Sequence, residues 1–298
     1  MIGEWRIVEI HHSPLITHKM SDADALLRAV LAAPDDDAPR LVYADWLEEH
    51  GDGARAAFIR SQVELARLPA DDPSRVALVQ TERKLLQEHR PAWKAWLPTW
   101  VKEHEFRRGF IERIQCQAAD FIAQSDEVRL RTPLQGARLD GRQAIAIALL
   151  RSRALEGMRS LTLSVKVPQL AWDHLASCPY LSHLAELEIV SSAHMDELVS
   201  ALVSSTSLPT LRTLRLKWCA LGDENTSYLV RHGWAERLRT LDLSNNHIGP
   251  EGGLAIAGST FLDGLEFLNL NANPLLANAG VVQKLRERFG SRVRMLGL

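Results

Sequence analysis

Four segments of this chain repeat one pattern at one spacing: LAELEIVSS (184–192), LRTLRLKWC (211–219), LRTLDLSNN (238–246) and LEFLNLNAN (265–273). Their first residues stand 27 apart each time. Each reads L-x-x-L-x-L(or I)-x-x and closes on Ser192, Cys219, Asn246 or Asn273. Three of the four place another apolar residue two positions later: Leu221, Ile248 and Leu275. Weaker copies lie upstream in MRSLTLSVK (158–166), LQGARLDGR (134–142) and the strand-like IERIQC (111–116). Decay toward one end is expected of a stacked array, because a terminal unit seals the core instead of matching a neighbour.

The unit has a direct physical reading. Side chains two apart on a strand share a face, so Leu241 and Leu243 point into a core while Thr240, Asp242 and Ser244 point out. Asn246 falls at the turn, where its amide can satisfy backbone groups that leave the ladder. Cys219 fills the same slot. The stretches DELVSALV (196–203), ENTSYLVRHG (224–233) and GPEGGLAIAG (249–258) then supply turn and helix, the last with Leu254, Ile256 and Ala257 available for the core. The end, LRERFGSRVRMLGL (285–298), reads as a last helix, a Gly290 C-cap and a closing strand with apolar Val293, Met295 and Leu296.

From about residue 106 to the end, these motifs resemble a bacterial leucine-rich repeat protein of the long-repeat, ribonuclease-inhibitor-like kind. The resemblance implies an α/β solenoid with a parallel inner sheet and outer helices over 106–298. One coil cannot bury its leucines alone, so stability comes from stacking.

Residues 20–105 read as helices. Ser21 and Asp24 form a capping box before an apolar face of Leu26, Leu27, Val30 and Leu31, and Pro34 ends that helix. Pro39 starts a second helix with apolar Leu41, Val42, Ala44, Trp46 and Leu47, stopped at Gly51. Phe58, Ile59, Val63 and Ala66 mark a third. Asp72-Pro73 opens a fourth, running to about His89. Trp93, Trp96 and Trp100 follow at helical spacing and are expected to join this region to the first coil. The stretch DDDAPRLVYADWLEEHGDGARAAFIRSQVELARL (35–68) resembles the bacterial repeat-companion domain, a helical module found ahead of leucine-rich-type repeats, and FRRGFIERI (106–114) fits that architecture. The expected division is therefore an extension at 1–19, a small all-helical domain at 20–105 and the solenoid at 106–298. MSDADALLRAVL from Met20 reads like a fresh start, so 1–19 is expected to be upstream sequence or a loose extension.

Composition narrows the function classes. Net charge is −2, with about −5 in 20–105 and about +3 in 106–298, too little for a general affinity for nucleic acid. Three scattered cysteines, Cys116, Cys178 and Cys219, suggest neither a disulfide framework nor zinc, and fit a reducing cytoplasm. No apolar run reaches membrane-spanning length. GxSxG, P-loop, GxGxxG and HExxH motifs are absent from the sequence. His11, His12 and His18 form a small cluster, but adjacent histidines point apart. Asp45, Glu48, Glu49 and Asp52 read as a solvated helix face, and Arg107-Arg108 as a solvated junction. A reactive thiol at Cys178 and a hydrolase centre at Asp45, Glu48 and His50 are the chemical alternatives.

The register places Ser160, Thr162 and Ser164, then Glu186, Glu188 and Val190, then Thr213, Arg215 and Lys217 on the concave face, followed by Thr240, Asp242 and Ser244 and by Phe267, Asn269 and Asn271. Glu186, Glu188, Arg215, Lys217, Trp218, Asp242, Phe267, Asn269 and Asn271 are the candidate partner-binding residues, with Trp218 as an edge anchor. Acidic Glu186 and Glu188 also lie close enough to Arg215 and Lys217 to satisfy them. The expected function is a non-enzymatic protein-interaction module, without cofactor or metal, acting through the concave face or the helical domain. The alternative is a regulatory or sensor subunit of a separate bacterial signalling or defence enzyme.

Overall fold

The computed structural model describes residues 21–165, 168–191 and 194–296. The extension at 1–19, with its three histidines, and the Ser192 slot lie outside the described residues.

Among the described residues, four helices come first: α1 (Asp22–Ala32), α2 (Ala38–Glu49), α3 (Gly53–Arg67) and α4 (Arg75–Trp93). Ser21 caps α1 by accepting the Asp24 N–H at 3.2 Å. Pro39 sits in the first turn of α2, and Gly51, at φ 90°, turns the chain into α3. Two expectations change here. Helix α4 continues past His89 and through Pro91. Its last turn is held by packing, since Trp93 stacks on His89 at 5.2 Å and lies 4.7 Å from the Phe58 ring. On α2, Val42 is exposed, whereas Arg40 is wholly buried.

Among the described residues, nine strands then form one sheet in chain order. β1 (Glu103–Arg107) and β2 (Phe110–Gln117) make an antiparallel hairpin. From β2 onward the sheet is parallel through β3 (Gly136–Gly141), β4 (Ser160–Val165), β5 (Glu186–Val190), β6 (Thr213–Lys217), β7 (Thr240–Asp242), β8 (Phe267–Asn269) and β9 (Val293–Arg294). A helix follows each of β2 to β8, namely α5 (Ala118–Arg129), α6 (Gln143–Leu150), α7 (Gln169–Ala176), α8 (Met195–Ser204), α9 (Asp223–Val230), α10 (Pro250–Gly258) and α11 (Ala279–Phe289). The leucines of successive coils stack into one continuous core, from Leu161 and Leu187 through Leu214 and Leu241 to Leu268, all essentially sealed from water. This is a solenoid of the expected class. Two residues read as core are not: Leu254 on α10 and Leu296 after β9 are exposed, and Ala255 and Ile256 fill the α10 core positions.

The coils are closed by a polar ladder. Asn246 Oδ1 accepts the N–H groups of Cys219 (3.0 Å) and Leu221 (3.1 Å) from the preceding coil, while Nδ2 donates to Leu216 O (2.7 Å) and Leu243 O (2.9 Å). Asn273 repeats this one coil on, taking Ile248 N–H at 3.1 Å and donating to Leu243 O at 2.9 Å. One amide thus serves backbone groups of two coils that have left the strand ladder, groups that would otherwise be costly to bury.

The residue just before this slot is left-handed in every one of these coils: Ser191 (φ 56°), Trp218 (57°), Asn245 (58°) and Ala272 (53°). The 27-residue period therefore extends to a backbone conformation that L-residues seldom adopt.

The hairpin caps the N-terminal end. Its two-residue turn, Arg108-Gly109, has φ of 45° and 87°, both positive as in a type I′ turn. Gly109 lies against α3, where a Cβ would stand 2.4 Å from Ile59 Cγ1 and 2.8 Å from Ile59 Cα. Its N–H donates to Gln62 Oε1 at 2.7 Å. Arg108 belongs to a buried cluster rather than a solvated junction. Arg40 pairs with Glu112 at 2.7 Å and donates to Pro34 O at 2.8 Å, and Arg108 joins Glu112 at 3.2 Å and donates to Pro34 O at 2.9 Å. Burial draws the Arg40 guanidinium down to about 10, so it remains charged at neutral pH. Asp35 reaches over to Arg159 and to Gln135 (3.2 Å) at the edges of the next coils.

Candidate functional site

Pairing across the sheet arranges the concave face in rows. One row runs Arg113, Gly136, Ser160, Glu186, Thr213, Thr240 and Phe267 from β2 to β8. The next runs Gln115, Arg138, Thr162, Glu188, Arg215, Asp242 and Asn269. Small side chains between the charged ones let long ones lie flat across several strands. Arg113 reaches Glu186 at 3.0 Å over Gly136 and Ser160, and a Cβ on Gly136 would stand 2.6 Å from Arg113 Cγ.

The charged candidates neutralise one another. Glu186 also meets Arg215 at 3.6 Å, and Lys217 meets Glu188 at 3.0 Å and Asp242 at 3.7 Å. Asp242, expected to face out, is only 6% exposed, because Lys217 covers it and its Oδ1 accepts the Ser244 N–H at 3.0 Å. Ser244 is buried with it. The β8 candidates are engaged too. Arg294 lies over the Phe267 ring at 5.0 Å, Asn269 Oδ1 accepts the Asn271 N–H at 3.1 Å, and Asn271 Oδ1 accepts the Leu296 N–H at 2.6 Å.

Trp218 differs from all of these. It follows β6 in the left-handed slot, 62% exposed. Its backbone N–H donates to Asn245 O at 3.1 Å, fixing the position while the indole projects from the rim. Arg113, Gln115 and Arg138 are charged or polar members of the face that register reading from the clear repeats did not reach; their signal is the weaker strand-like copies IERIQC and LQGARLDGR upstream.

A family model described as a leucine-rich repeat matches residues 207–224 and 238–257. The chain carries a leucine-rich repeat region. The matched segments hold β6 with Trp218 and Cys219, then β7 with Asn246 and α10, so the region includes the rim residue and the asparagine slot.

The chemical alternatives do not assemble. Arg60 bridges Asp45 (2.6 Å) and Glu48 (2.7 Å), while His50 stacks on Trp46 at 4.0 Å and faces Trp46 O through Nδ1 at 2.8 Å. Cys178 is buried, and burial pushes its thiol up, away from thiolate character. Cys116 is pushed up to about 12 for the same reason. Among the described residues, no group of three or more His, Cys, Asp or Glu could hold a metal ion. Nor is any helix there long and apolar enough to cross a membrane.

Proposed function

We propose that the leucine-rich repeat region is a non-enzymatic protein-interaction module, and that it takes its partner at the concave rim with Trp218 as anchor. The observation that carries this reading is the contrast on one face: every charged candidate is already paired, while one large aromatic stands exposed in a backbone conformation that disfavours it. Buried aromatic anchors surrounded by nearly neutral contacts are the usual source of interface affinity. Glu186, Glu188, Arg215, Lys217 and Asp242 form the polar surround, and Phe267, Asn269 and Asn271 extend it along the sheet.

The helical region ahead of the repeats is read as a repeat-companion module of bacterial type, working in the cytoplasm. Its placement before the first coil and its contacts with the β1–β2 hairpin support that reading.

The test is capture of partners from source-cell lysate by wild type and by Trp218→Ala, both shown by circular dichroism to be folded. A protein held by wild type and lost with the indole supports the rim. A protein held equally by both removes Trp218 from the interface and moves attention to the helical region. A stoichiometric enzyme among the captured proteins would make the chain a regulatory subunit.

A further inference from the structure

A second candidate site lies away from the concave face, where the helical region meets the first coil. A cleft of about 330 Å³ opens there, within the range of small-molecule sites, roughly 300–1,000 Å³. Trp93, Trp96, Phe106 and Phe110 line it, from α4 and the segment after it and from the hairpin. Arg55 and Arg131 line it as well.

Arg55 is the unusual member. It enters from the first turn of α3, and its guanidinium carbon lies 4.8 Å from the Trp93 ring centre. Phe58 and Phe106 stand at 5.5 Å and Phe110 at 5.6 Å. Aromatic faces attract a cation but offer no acceptor in the guanidinium plane. No ion pair joins Arg55 to any described carboxylate, and its buried Nη1 has no hydrogen-bond partner. Asp52, the one acid lining the cleft, uses Oδ1 to cap α3 by accepting the Arg55 backbone N–H at 3.1 Å. Burial lowers Arg55 to about 10, with nearby Tyr43 and Asp52 pulling the other way, so the side chain is cationic at neutral pH. Arg131 adds a second cation, 5.9 Å from the Trp96 ring centre and likewise without an ion pair among the described residues. The cleft thus has two arginines against one acid, flat aromatic walls, and an unfilled donor.

We propose that this cleft binds a small planar organic carboxylate, its ring system between the aromatic walls and its carboxylate on the Arg55 and Arg131 guanidinium groups. Planarity follows from the walls, and the carboxylate follows from the guanidinium fork, which matches two oxygens in one plane. The volume favours a compact molecule over a folded peptide segment. This site is independent of the rim reading around Trp218.

The probes are 2-naphthoate and its neutral counterpart 2-naphthalenemethanol, titrated into the whole chain by calorimetry, with the Trp93 and Trp96 indole N–H resonances followed by NMR. The expected result is saturable naphthoate binding that shifts both indoles, with the alcohol weaker by about tenfold or more, as a charge-assisted pair implies. Arg55→Gln removes that preference, and Arg131→Gln, at an exposed position, weakens naphthoate several-fold. Because Arg55 is packed among rings, the wild-type comparison and Arg131→Gln decide the matter if Arg55→Gln does not fold. Equal affinity for the two probes, no binding of either, or naphthoate binding unchanged in Arg131→Gln would overturn the proposal.

Discussion

Asn246 and Arg40 each sit at the centre of a buried polar cluster, one in the body of the solenoid and one at its N-terminal end. Asn246 is neutral, and both ends of its amide meet backbone groups of adjacent coils. Asn273 does the same work one period later. Arg40 is charged, occurs once, and depends on Pro34 ahead of α2 and on Arg108 and Glu112 of the distant β1–β2 hairpin. The body therefore shares its load among similar units, while the junction concentrates it in a few unlike contacts. A defect in the body is felt by its nearest neighbours. A defect at the junction separates two parts of the molecule.

The largest expected effect is at the junction. Gly109→Ala places a Cβ inside Ile59 and forces an L-residue to keep φ near 87°. Overpacking and the strained backbone together should cost about 3–5 kcal/mol. Denaturant unfolding measures this, and a change below about 1 kcal/mol would mean the hairpin does not bear on α3 as described. Arg40→Met follows closely, at about 3–5 kcal/mol, because Glu112 is left buried without its main partner. Arg40→Met with Glu112→Leu should recover most of that loss. If the double variant is as unstable as the single one, the cost lies in packing and not in the orphaned charge.

The body should yield less per site. Leu241→Ala removes core volume between Leu214 and Leu268 and should cost roughly 2–5 kcal/mol. Asn246→Ala strands the Cys219 and Leu221 N–H groups and should cost about 2–4 kcal/mol. Hydrogen exchange sharpens the comparison. Asn246→Ala should speed exchange mainly in β6, β7 and β8, whereas Arg40→Met should speed it in α2, α3 and the β1–β2 hairpin. Uniform acceleration in both variants would remove the distinction between the two regions.

What was legible in the sequence follows the same division. The leucines, the strand register and the asparagine slot recur every 27 residues, so each copy reports on the others. Arg40 has no second copy. On α2 it looks like one more charge on a polar face, and its partner Glu112 lies in a distant strand, so only the fold brings them together. Arg108, read in the sequence as part of a solvated junction, is drawn into that cluster for the same reason. Leu254 shows the converse error: it is apolar and helical, but the small residues of PEGGLAIAG let α10 pack through Gly252, Gly253 and Ala255 instead. At the concave face, strand register puts Glu186, Glu188, Arg215, Asp242, Phe267 and Asn269 on paired strands and the Glu186/Glu188 and Arg215/Lys217 charges within reach of one another, but it does not show that Lys217 covers Asp242. Pair distances separate Lys217, held by Glu188 and Asp242, from Trp218, whose indole stands exposed.

The smallest effect on stability should come at Trp218, and its sign is the informative part. Ser191, Asn245 and Ala272 occupy the same left-handed slot in neighbouring coils. Asparagine tolerates that conformation better than most L-residues, whereas a bulky ring gains nothing from it while the indole is in water. Trp218→Asn should therefore leave the fold intact and raise stability by about 0.5–1 kcal/mol. The same variant should lose the partner captured at the rim. A stabilised protein that no longer binds would show that the indole is kept for recognition against the local preference of the backbone. A destabilised one would show that the ring contributes to the fold, and Trp218 would then join the body as one more packed residue.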